Sequence, residues 1–388
     1  MEGAGAAEKL GNRGARRVSA ITDLPDLVAG LQPVARQRAE GLLDITTAQG
    51  RTDPPPELTS WVERHFGSVD AVRTQQVVRV MDRWRLEGTH FAPLRSRRPL
   101  SGESHAAFAS LVESTRGDEF CHPETGTPAD PWGRVRGRRN ITAANAAMYE
   151  GRHGVVIFDH HDPLAFDHAL VIDMLEVGRE WAERGRVEDA EACAYLLIWN
   201  CGPRAGGSIV HGHAQVLLGH EPHYAGIERL RRASLSYQAA TKGTLLPDLV
   251  AVHRDLGLVV EEADGVTVFA SLTPVKEREL WVVGRVGMDE REPAFADAVA
   301  RTAIAYRDAI GVRAFNLVLQ RPPIDPELAA RDGWELLPPV VRLVDRGDPD
   351  SRNSDIGAME LYAASVVGSD PFALAAELRA ARSPGSIG

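Results

Sequence analysis

One stretch of the chain, residues 206–219, reads GGSIVHGHAQVLLG and carries two histidines and a glutamine at alternate positions. Side chains at i, i+2 and i+4 share one face of a β-strand, so His211, His213 and Gln215 are predicted to point the same way. The residues between and after them are small or apolar and suit the opposite, packed face. The pattern therefore predicts a strand with two imidazoles and one amide on a single polar face.

This polar face admits three interpretations. The two histidines could be metal ligands, with a carboxylate or a third histidine completing the set. One imidazole could instead attack phosphorus, because its pKa lies near neutral pH, while the amide holds a phosphoryl oxygen. The histidines could also be ordinary surface residues. A glutamine, unlike a carboxylate, does not repel phosphate, which favours His213 as a nucleophile.

The loop before the strand also suits an anion. Gly206, Gly207 and Ser208 precede the motif, and glycines allow backbone N–H groups to approach a bound phosphate closely. The loop weakens the interpretation as two surface histidines. It also adds Gly206 and Gly207 to the candidate phosphate-binding residues.

Residues 200–216, NCGPRAGGSIVHGHAQV, resemble the active-site segment of the galactose-1-phosphate uridylyltransferase family. That family is a branch of the histidine-triad superfamily with glutamine where the hydrolases have a third histidine. Its pattern, Asn-x7-Ser-x2-His-x-His-x-Gln, is filled without a gap by Asn200, Ser208, His211, His213 and Gln215. The resemblance extends over roughly residues 85–382 and is concentrated in residues 145–218.

The resemblance implies a ping-pong nucleotidyl transfer through a covalent nucleotidyl-histidine at His213. Gln215 and Ser208 would hold the non-bridging phosphoryl oxygens, and Asn200 would orient the phosphoryl group or its loop. His211 would either bind zinc or support His213, because an imidazole nucleophile needs its second nitrogen fixed by a hydrogen bond.

Segments on either side of the motif imply further contacts. Arg95 and Arg98, in FAPLRSRRP (91–99), match two arginines that hold the nucleotide phosphates, and guanidinium forks suit phosphate oxygens. Asn145 matches an asparagine that contacts the base and ribose, and Glu360 matches a glutamate that contacts the sugar.

The hexose contacts depart from the family's pattern. Ser354 and Val366 stand where the family has a lysine and a glutamine that help bind the hexose. The sequence therefore argues against galactose 1-phosphate itself as the acceptor.

A structural zinc site is also implied, because the family uses a Cys-x-x-Cys pair, a histidine after the first strand and the first histidine of the motif. Here the cysteine pair is reduced to FCHPETG (120–126). The expected ligands are Cys121, His161 or its neighbour His160, His211, and His122 or Glu124. The alternative is that the metal has been lost and Cys121 is a buried thiol.

A β-α-β-β pattern occurs twice around the motif, with two apolar strands after each helix. The first copy has strands at 154–158, 194–199 and 211–218, and the second has strands at 280–284, 314–320 and 339–344. A repeat of this kind predicts an α+β fold of duplicated histidine-triad-like half-barrels, each an antiparallel sheet backed by a helix. The predicted division is a disordered tail (1–20), an N-terminal helical extension (21–84), a first half (85–230) and a second half (231–388).

Composition narrows the protein's class and surroundings. The chain has 388 residues and a net charge of −10, which argues against a nucleic-acid or anionic-membrane binder. Three scattered cysteines favour a reducing compartment, and no segment has the pattern of a signal peptide or a bilayer span. We therefore expect a cytoplasmic protein. We also expect a homodimer, for which residues 1–84 are a candidate interface.

The sequence thus predicts an enzyme that moves a nucleoside monophosphate group from an NTP or NDP-sugar to a sugar 1-phosphate, with zinc as a candidate structural metal and no organic cofactor. Three alternatives stay open. The first is a phosphorylase that acts on an NDP-sugar or a dinucleoside polyphosphate, the second is an inert nucleotide-binding protein, and the third is a hydrolytic metalloenzyme.

Overall fold

The computed structural model of the chain describes residues 18–97, 106–351 and 354–382, so Arg98 and residues 1–17 of the predicted tail lie outside the described residues. The strands are β1 (Leu43–Arg51), β2 (Thr74–Asp82), β3 (Gly88–Phe91), β4 (Asn140–Ala144), β5 (Arg152–Phe158), β6 (Ala194–Cys201), β7 (His213–Gly219), β8 (Val259–Ala263), β9 (Val266–Ala270), β10 (Glu277–Val283), β11 (Phe315–Gln320), β12 (Val340–Asp345) and β13 (Ser365–Val367). The α-helices are α1 (Leu24–Ala29), α2 (Pro33–Leu42), α3 (Thr59–Phe66), α4 (Val69–Arg73), α5 (Ala106–Ser114), α6 (Pro123–Gly126), α7 (His168–Glu188), α8 (Ala225–Thr241), α9 (Leu245–Asp255), α10 (Pro293–Asp308), α11 (Pro326–Ala329), α12 (Ala358–Tyr362) and α13 (Pro371–Arg382).

Nine of these strands form one antiparallel sheet in the order β4-β5-β7-β6-β11-β12-β10-β9-β8. From β4 to β9 the order is symmetric about the central pair, β6 and β11. Each half therefore contains one β-α-β-β unit, made of β5, α7, β6 and β7 in the first half and β10, α10, β11 and β12 in the second. The predicted α+β class with duplicated units is confirmed, and the β6–β11 ladder joins the two units into one sheet.

Helices α7 and α10 cover one face of this sheet. Leu170, Met174, Val177 and Trp181 recur along α7 at spacings of three and four, and all four are buried. Each such side chain contributes about 1.5–3 kcal/mol when it leaves water. The helix lies so close to the sheet that a Cβ on Gly154 would sit 2.7 Å from the Trp181 ring, so only glycine fits there.

The opposite face carries the candidate catalytic residues. Cross-strand pairing aligns one row of side chains over this face, namely Val155, Gln215, Ile198, Val318, Arg342 and Trp281. Gln215, Ile198 and Val318 are half-buried, whereas Val155, Arg342 and Trp281 are buried. The row is therefore partly open on β7, β6 and β11 and closed on β5, β12 and β10, so that Gln215 is more exposed than Arg342 at the matching position.

A smaller sheet has the order β1-β2-β3-β13, in which β3 and β13 run parallel. It corrects the prediction that residues 21–84 are a helical extension, because β1 and β2 pair there along nine residues, between helices α1 to α4. Val78 and Val80 are buried while Arg79 between them is exposed, which is the period of a strand. β-Branched side chains also pack better on a pleated sheet than in a helix. β3, from the predicted first half, pairs in this sheet too.

The turn between β2 and β3, residues 83–87, lies against the second half of the large sheet. Arg85 donates to Thr273 Oγ1 at 3.0 Å, and its guanidinium carbon lies 4.7 Å from the centre of the Trp281 ring. Arg342 Nη1 donates to Glu87 Oε1 at 2.9 Å. The small sheet thus closes that half.

Among the described residues, none of the helices combines the length and the apolar character needed to cross a bilayer.

Candidate active site and metal cluster

His213 is the first residue of β7, and only 6% of its surface is exposed. Its Nδ1 donates to the backbone oxygen of His211 at 2.8 Å, which leaves Nε2 as the unprotonated nitrogen of a neutral ring. The hydrogen bond that His213 makes to the described residues is at Nδ1, and none is at Nε2. Burial lowers the pKa of His213, which keeps the ring neutral near pH 7. An oriented neutral imidazole with a free lone pair meets the requirements of a nucleophile.

Gln215 lies two residues further along β7, on the same face as His213. Its Oε1 is 3.0 Å from His153 Nε2 and 3.0 Å from the Tyr149 hydroxyl. Its amide nitrogen makes no hydrogen bond to any described residue, so the NH2 group is available to an oxygen bound beside His213.

The structure differs from the prediction for His211. The strand begins at His213, so His211 belongs to the preceding loop and its imidazole contacts Cys121 and His161. The predicted common face therefore holds for His213 and Gln215 alone. His211 still supports His213, because its backbone carbonyl accepts the His213 Nδ1 hydrogen bond.

Gly206 and Gly207, in the loop between β6 and β7, form their hydrogen bonds within the loop itself. Gly206 has a φ of +95°, in the region that favours glycine. A Cβ on Gly207 would lie 2.9 Å from the Asn200 oxygen. The N–H groups of Gly206 and Gly207 donate to Pro203 and Gly202 within the loop, whereas Ser208 is exposed. The two glycines therefore shape the loop, and their N–H groups do not face a ligand.

Asn200 lies at the junction of the two halves. It pairs in register with Asn316 on β11, whose Nδ2 donates to Asn200 Oδ1 at 2.7 Å and to Ala205 O at 2.8 Å. Arg346 Nη1 donates to Asn316 Oδ1 at 2.6 Å. Asn200 thus holds the loop through Asn316, a partner that the sequence did not reveal.

Asn145 stands at the start of the hairpin loop between β4 and β5. Its Oδ1 accepts from Ala147 N at 2.9 Å, and its Nδ2 is 3.0 Å from His153 Nε2. The oxygen end of the amide therefore has a partner inside the protein, and the nitrogen end lies beside the His153 ring. The side chain fixes the hairpin, and its predicted contact with base and ribose stays a prediction.

Two other predicted ligands, Arg95 and Glu360, line a cavity of about 260 Å³ together with Lys276, Arg346, Asp355 and Val366. Arg346 and Asp355 form a two-pronged ion pair at 2.6 and 2.9 Å. Arg95 is exposed and pairs with no carboxylate among the described residues. The cavity lies three strand spacings from His213, about 14 Å, at the same end of the sheet.

Four side chains meet beside His211 to form a candidate metal cluster: Asp118, Cys121, His161 and His211. Cys121 Sγ lies 3.4 Å from His161 Nδ1 and 3.5 Å from His211 Nδ1, and the two nitrogens are 3.3 Å apart. The Asp118 carboxylate is 3.4 Å from His211 Nδ1 and 3.7 Å from His161 Nδ1. Ligands around a tetrahedral zinc with bonds of about 2.0–2.3 Å are separated by about 3.3–3.8 Å. The donor set and spacing therefore fit zinc.

Both cluster histidines are fixed through their other nitrogen. His161 Nε2 donates to Val112 O at 2.9 Å, and His211 Nε2 donates to Phe158 O at 2.9 Å. Each Nδ1 is consequently unprotonated and directed at the cluster, which is how metal-binding histidines are usually held.

The prediction of His122 or Glu124 as the fourth ligand is wrong, and so is His160 as an alternative to His161. Asp118 is the residue that meets the other three. Its carboxylate caps the short turn that ends at Cys121 by accepting from Cys121 N at 3.1 Å. This turn brings the carboxylate and the thiol to the same side.

A cavity of about 590 Å³ adjoins this cluster. Cys121, His161 and His211 line it, but His213 and Gln215 do not. This cavity therefore adjoins the candidate metal cluster and not the side chains of His213 and Gln215.

No model of a protein family matches the chain, and no curated protein matches it. Solved structures do. An ADP-glucose phosphorylase from Arabidopsis thaliana with bound ADP-glucose aligns with a TM-score of 0.58 and 13% identity, over 77% of this chain and 97% of that one. A GalT-like protein from the same plant aligns with a TM-score of 0.54 and 13% identity, over 68% of this chain and 92% of that one. A uridylyltransferase aligns with a TM-score of 0.52 and 18% identity, over 66% of this chain and 88% of that one.

At these identities the likeness concerns the fold. The chain has the fold of these three proteins, and the fold that residues 200–216 implied through their resemblance is confirmed.

Proposed function

We propose that the protein is a nucleotidyltransferase that carries a nucleoside monophosphate on His213. The observation that carries the proposal is the state of the His213 ring, buried and neutral, with Nδ1–H held by a carbonyl and Nε2 free. An inert binding protein would have no chemical use for this arrangement. The structural neighbours support it, since their names describe a phosphorylase of ADP-glucose and a uridylyltransferase.

The first half-reaction forms a P–N bond and breaks a P–O bond. His213 Nε2 attacks the α-phosphorus of an NDP-sugar or NTP, and a sugar phosphate or pyrophosphate leaves as an anion. The ring then carries a positive charge, which the His211 carbonyl stabilises through Nδ1–H. The Gln215 amide N–H groups and the exposed Ser208 hydroxyl bind the non-bridging oxygens.

The second half-reaction reverses these bonds with a different acceptor. A phosphate oxygen of the acceptor attacks the same phosphorus, the P–N bond breaks, and His213 returns as neutral imidazole. Two in-line displacements give net retention at phosphorus. We place the sugar of the acceptor towards the cavity of Arg95 and Glu360, because Glu360 offers a carboxylate for sugar hydroxyls there, while the phosphate of the acceptor reaches the phosphorus at His213.

The metal cluster would bind zinc in a supporting role. With four protein ligands the coordination shell is complete, which is typical of a structural site. Bound zinc would hold the His211 ring in place. Residue 211 would then keep its carbonyl in line with His213 Nδ1. This arrangement disfavours the hydrolytic metalloenzyme, because no coordination position is left for water.

Labelling of the protein by nucleotides tests this proposal. The chain is incubated with α-³²P-labelled UTP, GTP, ATP and NDP-sugars and separated under denaturing conditions. We expect acid-labile, alkali-stable label from at least one donor on the wild type and none on His213→Ala. Failure of every donor to label a folded wild-type protein would refute the covalent mechanism.

The same labelled protein separates the transferase from the phosphorylase. Sugar 1-phosphates and inorganic phosphate are added in parallel to the isolated nucleotidyl-enzyme. Discharge by a sugar 1-phosphate, weakened by Glu360→Ala, supports the transferase. Discharge by inorganic phosphate alone supports the phosphorylase, which stays the second candidate because one neighbour bears that name.

A further inference from the structure

His153 is a buried histidine that neither the motif nor the proposed mechanism uses. It lies on β5, diagonally across from Gln215 on the same face of the sheet, and its exposed fraction is 0%. We propose that His153, with Tyr149, is a positioning residue that fixes which end of the Gln215 amide faces the reacting phosphorus. This inference rests on the proposed function, since it concerns how Gln215 holds the phosphoryl oxygen.

The contacts all converge on one atom. Gln215 Oε1 lies 3.0 Å from His153 Nε2 and 3.0 Å from the Tyr149 hydroxyl. The Tyr149 ring also packs on the imidazole, with ring centres 4.3 Å apart. Two donors occupy the two lone pairs of an amide oxygen, so the NH2 group must point the other way.

The orientation of the amide decides whether Gln215 helps or hinders. Rotation by 180° exchanges a pair of N–H donors for an oxygen that repels a phosphoryl oxygen. Nothing in the shape of a glutamine prefers one end, because oxygen and NH2 occupy nearly the same volume. Only hydrogen-bond partners on the far side can set the choice, and His153 and Tyr149 are the described residues in that place.

Asn145 competes for the same imidazole nitrogen. Its Nδ2 lies 3.0 Å from His153 Nε2, but one Nε2 atom can either donate to Gln215 or accept from Asn145. We assign the proton to Nε2 and the hydrogen bond to Gln215, because Asn145 is partly exposed and water can accept from its N–H. Burial lowers the pKa of His153, so the ring carries a single proton at neutral pH and the choice is exclusive.

Three substitutions distinguish a positioning role of His153 and Tyr149 from a role in packing alone. His153→Phe keeps an aromatic ring against Tyr149 and removes the donor. His153→Gln restores an N–H near the position of Nε2. Tyr149→Phe removes only a hydroxyl from a side chain that is 66% exposed, so its folding is not at risk.

His253→Phe is the matched control. His253 is also buried and packs on an aromatic ring, with centres 4.2 Å apart. It lies in the second half of the chain and bonds only to backbone, donating to Leu249 O and accepting from Leu272 N. Its loss should affect stability and leave nucleotidyl transfer per folded molecule unchanged.

The measured quantity is the single-turnover rate of nucleotidyl-His213 formation at saturating donor. The loss of one hydrogen bond predicts a rate about tenfold lower for His153→Phe and about threefold lower for Tyr149→Phe. His153→Gln should recover most of the rate, and the donor concentration at half-saturation should change little. In a Gln215→Ala background, neither substitution should slow the reaction further, because the group that they position is gone.

Two results would overturn the inference. One is an equal slowing by His153→Phe with and without Gln215, and the other is an equal slowing by His253→Phe. A wild type that accepts no label refutes the proposed function and this inference together. A labelled wild type with a slow Gln215→Ala variant upholds the proposed function, and the His153 cycle then decides the inference alone.

Discussion

The two halves of the nine-stranded sheet place different side chains at the same position. On β7, Gln215 pairs with β5 on one side and β6 on the other. On β12, Arg342 pairs with β10 and β11 in the same way. Two residues earlier, β7 has His213 where β12 has Val340. A duplicated unit thus carries a candidate nucleophile in one copy and a plain apolar residue in the other.

The second copy is also covered where the first is open. Arg342 Nε donates to Glu279 at 2.6 Å, and its guanidinium carbon lies 4.4 Å from the centre of the Trp281 ring. Glu87, from the small sheet, closes this buried ionic cluster. The small sheet thus seals one half and leaves the face around Gln215 half-buried. The duplication thus places the candidate reactive groups in one copy and a buried ionic cluster in the other.

The largest expected effect comes from removing the nucleophile in the first half. His213→Ala should lower nucleotidyl labelling by at least about a thousandfold, because no other group can take the phosphoryl bond. The matched change in the second half, Val340→Ala, should leave labelling per folded molecule unchanged. Label that persists on His213→Ala would show that the two halves do not differ in the proposed way.

The buried ionic cluster should matter for stability and not for chemistry. Arg342→Met leaves Glu87 and Glu279 without their shared partner and should reduce the free energy of unfolding by about 3–5 kcal/mol. Denaturant titration measures this loss, and labelling of the folded fraction should be unchanged.

An exposed ion pair gives the control. Arg116 bonds Glu113 at 2.8 Å with both side chains more than half exposed, so Arg116→Met should leave the free energy of unfolding almost unchanged. A similar cost for the two arginines would show that the cluster is not a special support of the second half.

Metal removal should loosen the first half alone. A metal held at a hundred times its dissociation constant adds about 2.7 kcal/mol of stability, and Cys121→Ser should lose most of that together with the bound zinc. Elemental analysis and hydrogen exchange measure the two effects. We expect faster exchange around β5 and β7 and unchanged exchange around β10 and β12. Uniform loosening would contradict a site confined to one half.

The smallest expected effect is the stability that the protein loses through Glu87 at low pH. Burial raises the pKa of Glu87, but Arg342 and Arg85 outweigh it and hold the pKa at about 2, against 4.5 for the free carboxyl. A lowered pKa contributes stability above pH 4.5, and that contribution disappears as the pH falls from 4.5 towards 2. The stability gap between wild type and Glu87→Gln should narrow over this interval. A constant gap from pH 6 to pH 3 would mean that Glu87 is not held as an anion.

Local patterns predicted the large sheet well. The repeated apolar strands and the three-four spacing of Leu170 and Met174 correspond to β5–β7, β10–β12 and α7. The small sheet was not predictable in the same way. Strand β2 pairs with β1 from Arg51 opposite Thr74 to Leu43 opposite Asp82, across a separation in sequence that no local pattern of side chains records.

The residues of the candidate site likewise fall into those that the sequence predicted and those that it did not. His213 and Gln215 could be predicted because their spacing lies within one strand. Asp118 was missed because its carboxylate reaches the cluster through a turn whose geometry no spacing rule describes. His153 was missed because it is close to Gln215 only through the register of β5 against β7. That register places the two side chains diagonally across from each other.

The small sheet also has a consequence for how the chain is made. Strand β3 needs β13 as its neighbour, and Ile21 N donates to Asp370 Oδ2 across 349 residues of sequence. At about 5–20 residues per second, ribosomal synthesis separates Ile21 from Asp370 by roughly 20–70 s and β3 from β13 by roughly 14–55 s. Strands β4 to β7 emerge and can pair within that interval. Among the strands with two neighbours, β3 therefore has an unpaired edge for the longest time during synthesis. A chaperone that binds this edge would protect it from pairing with other chains.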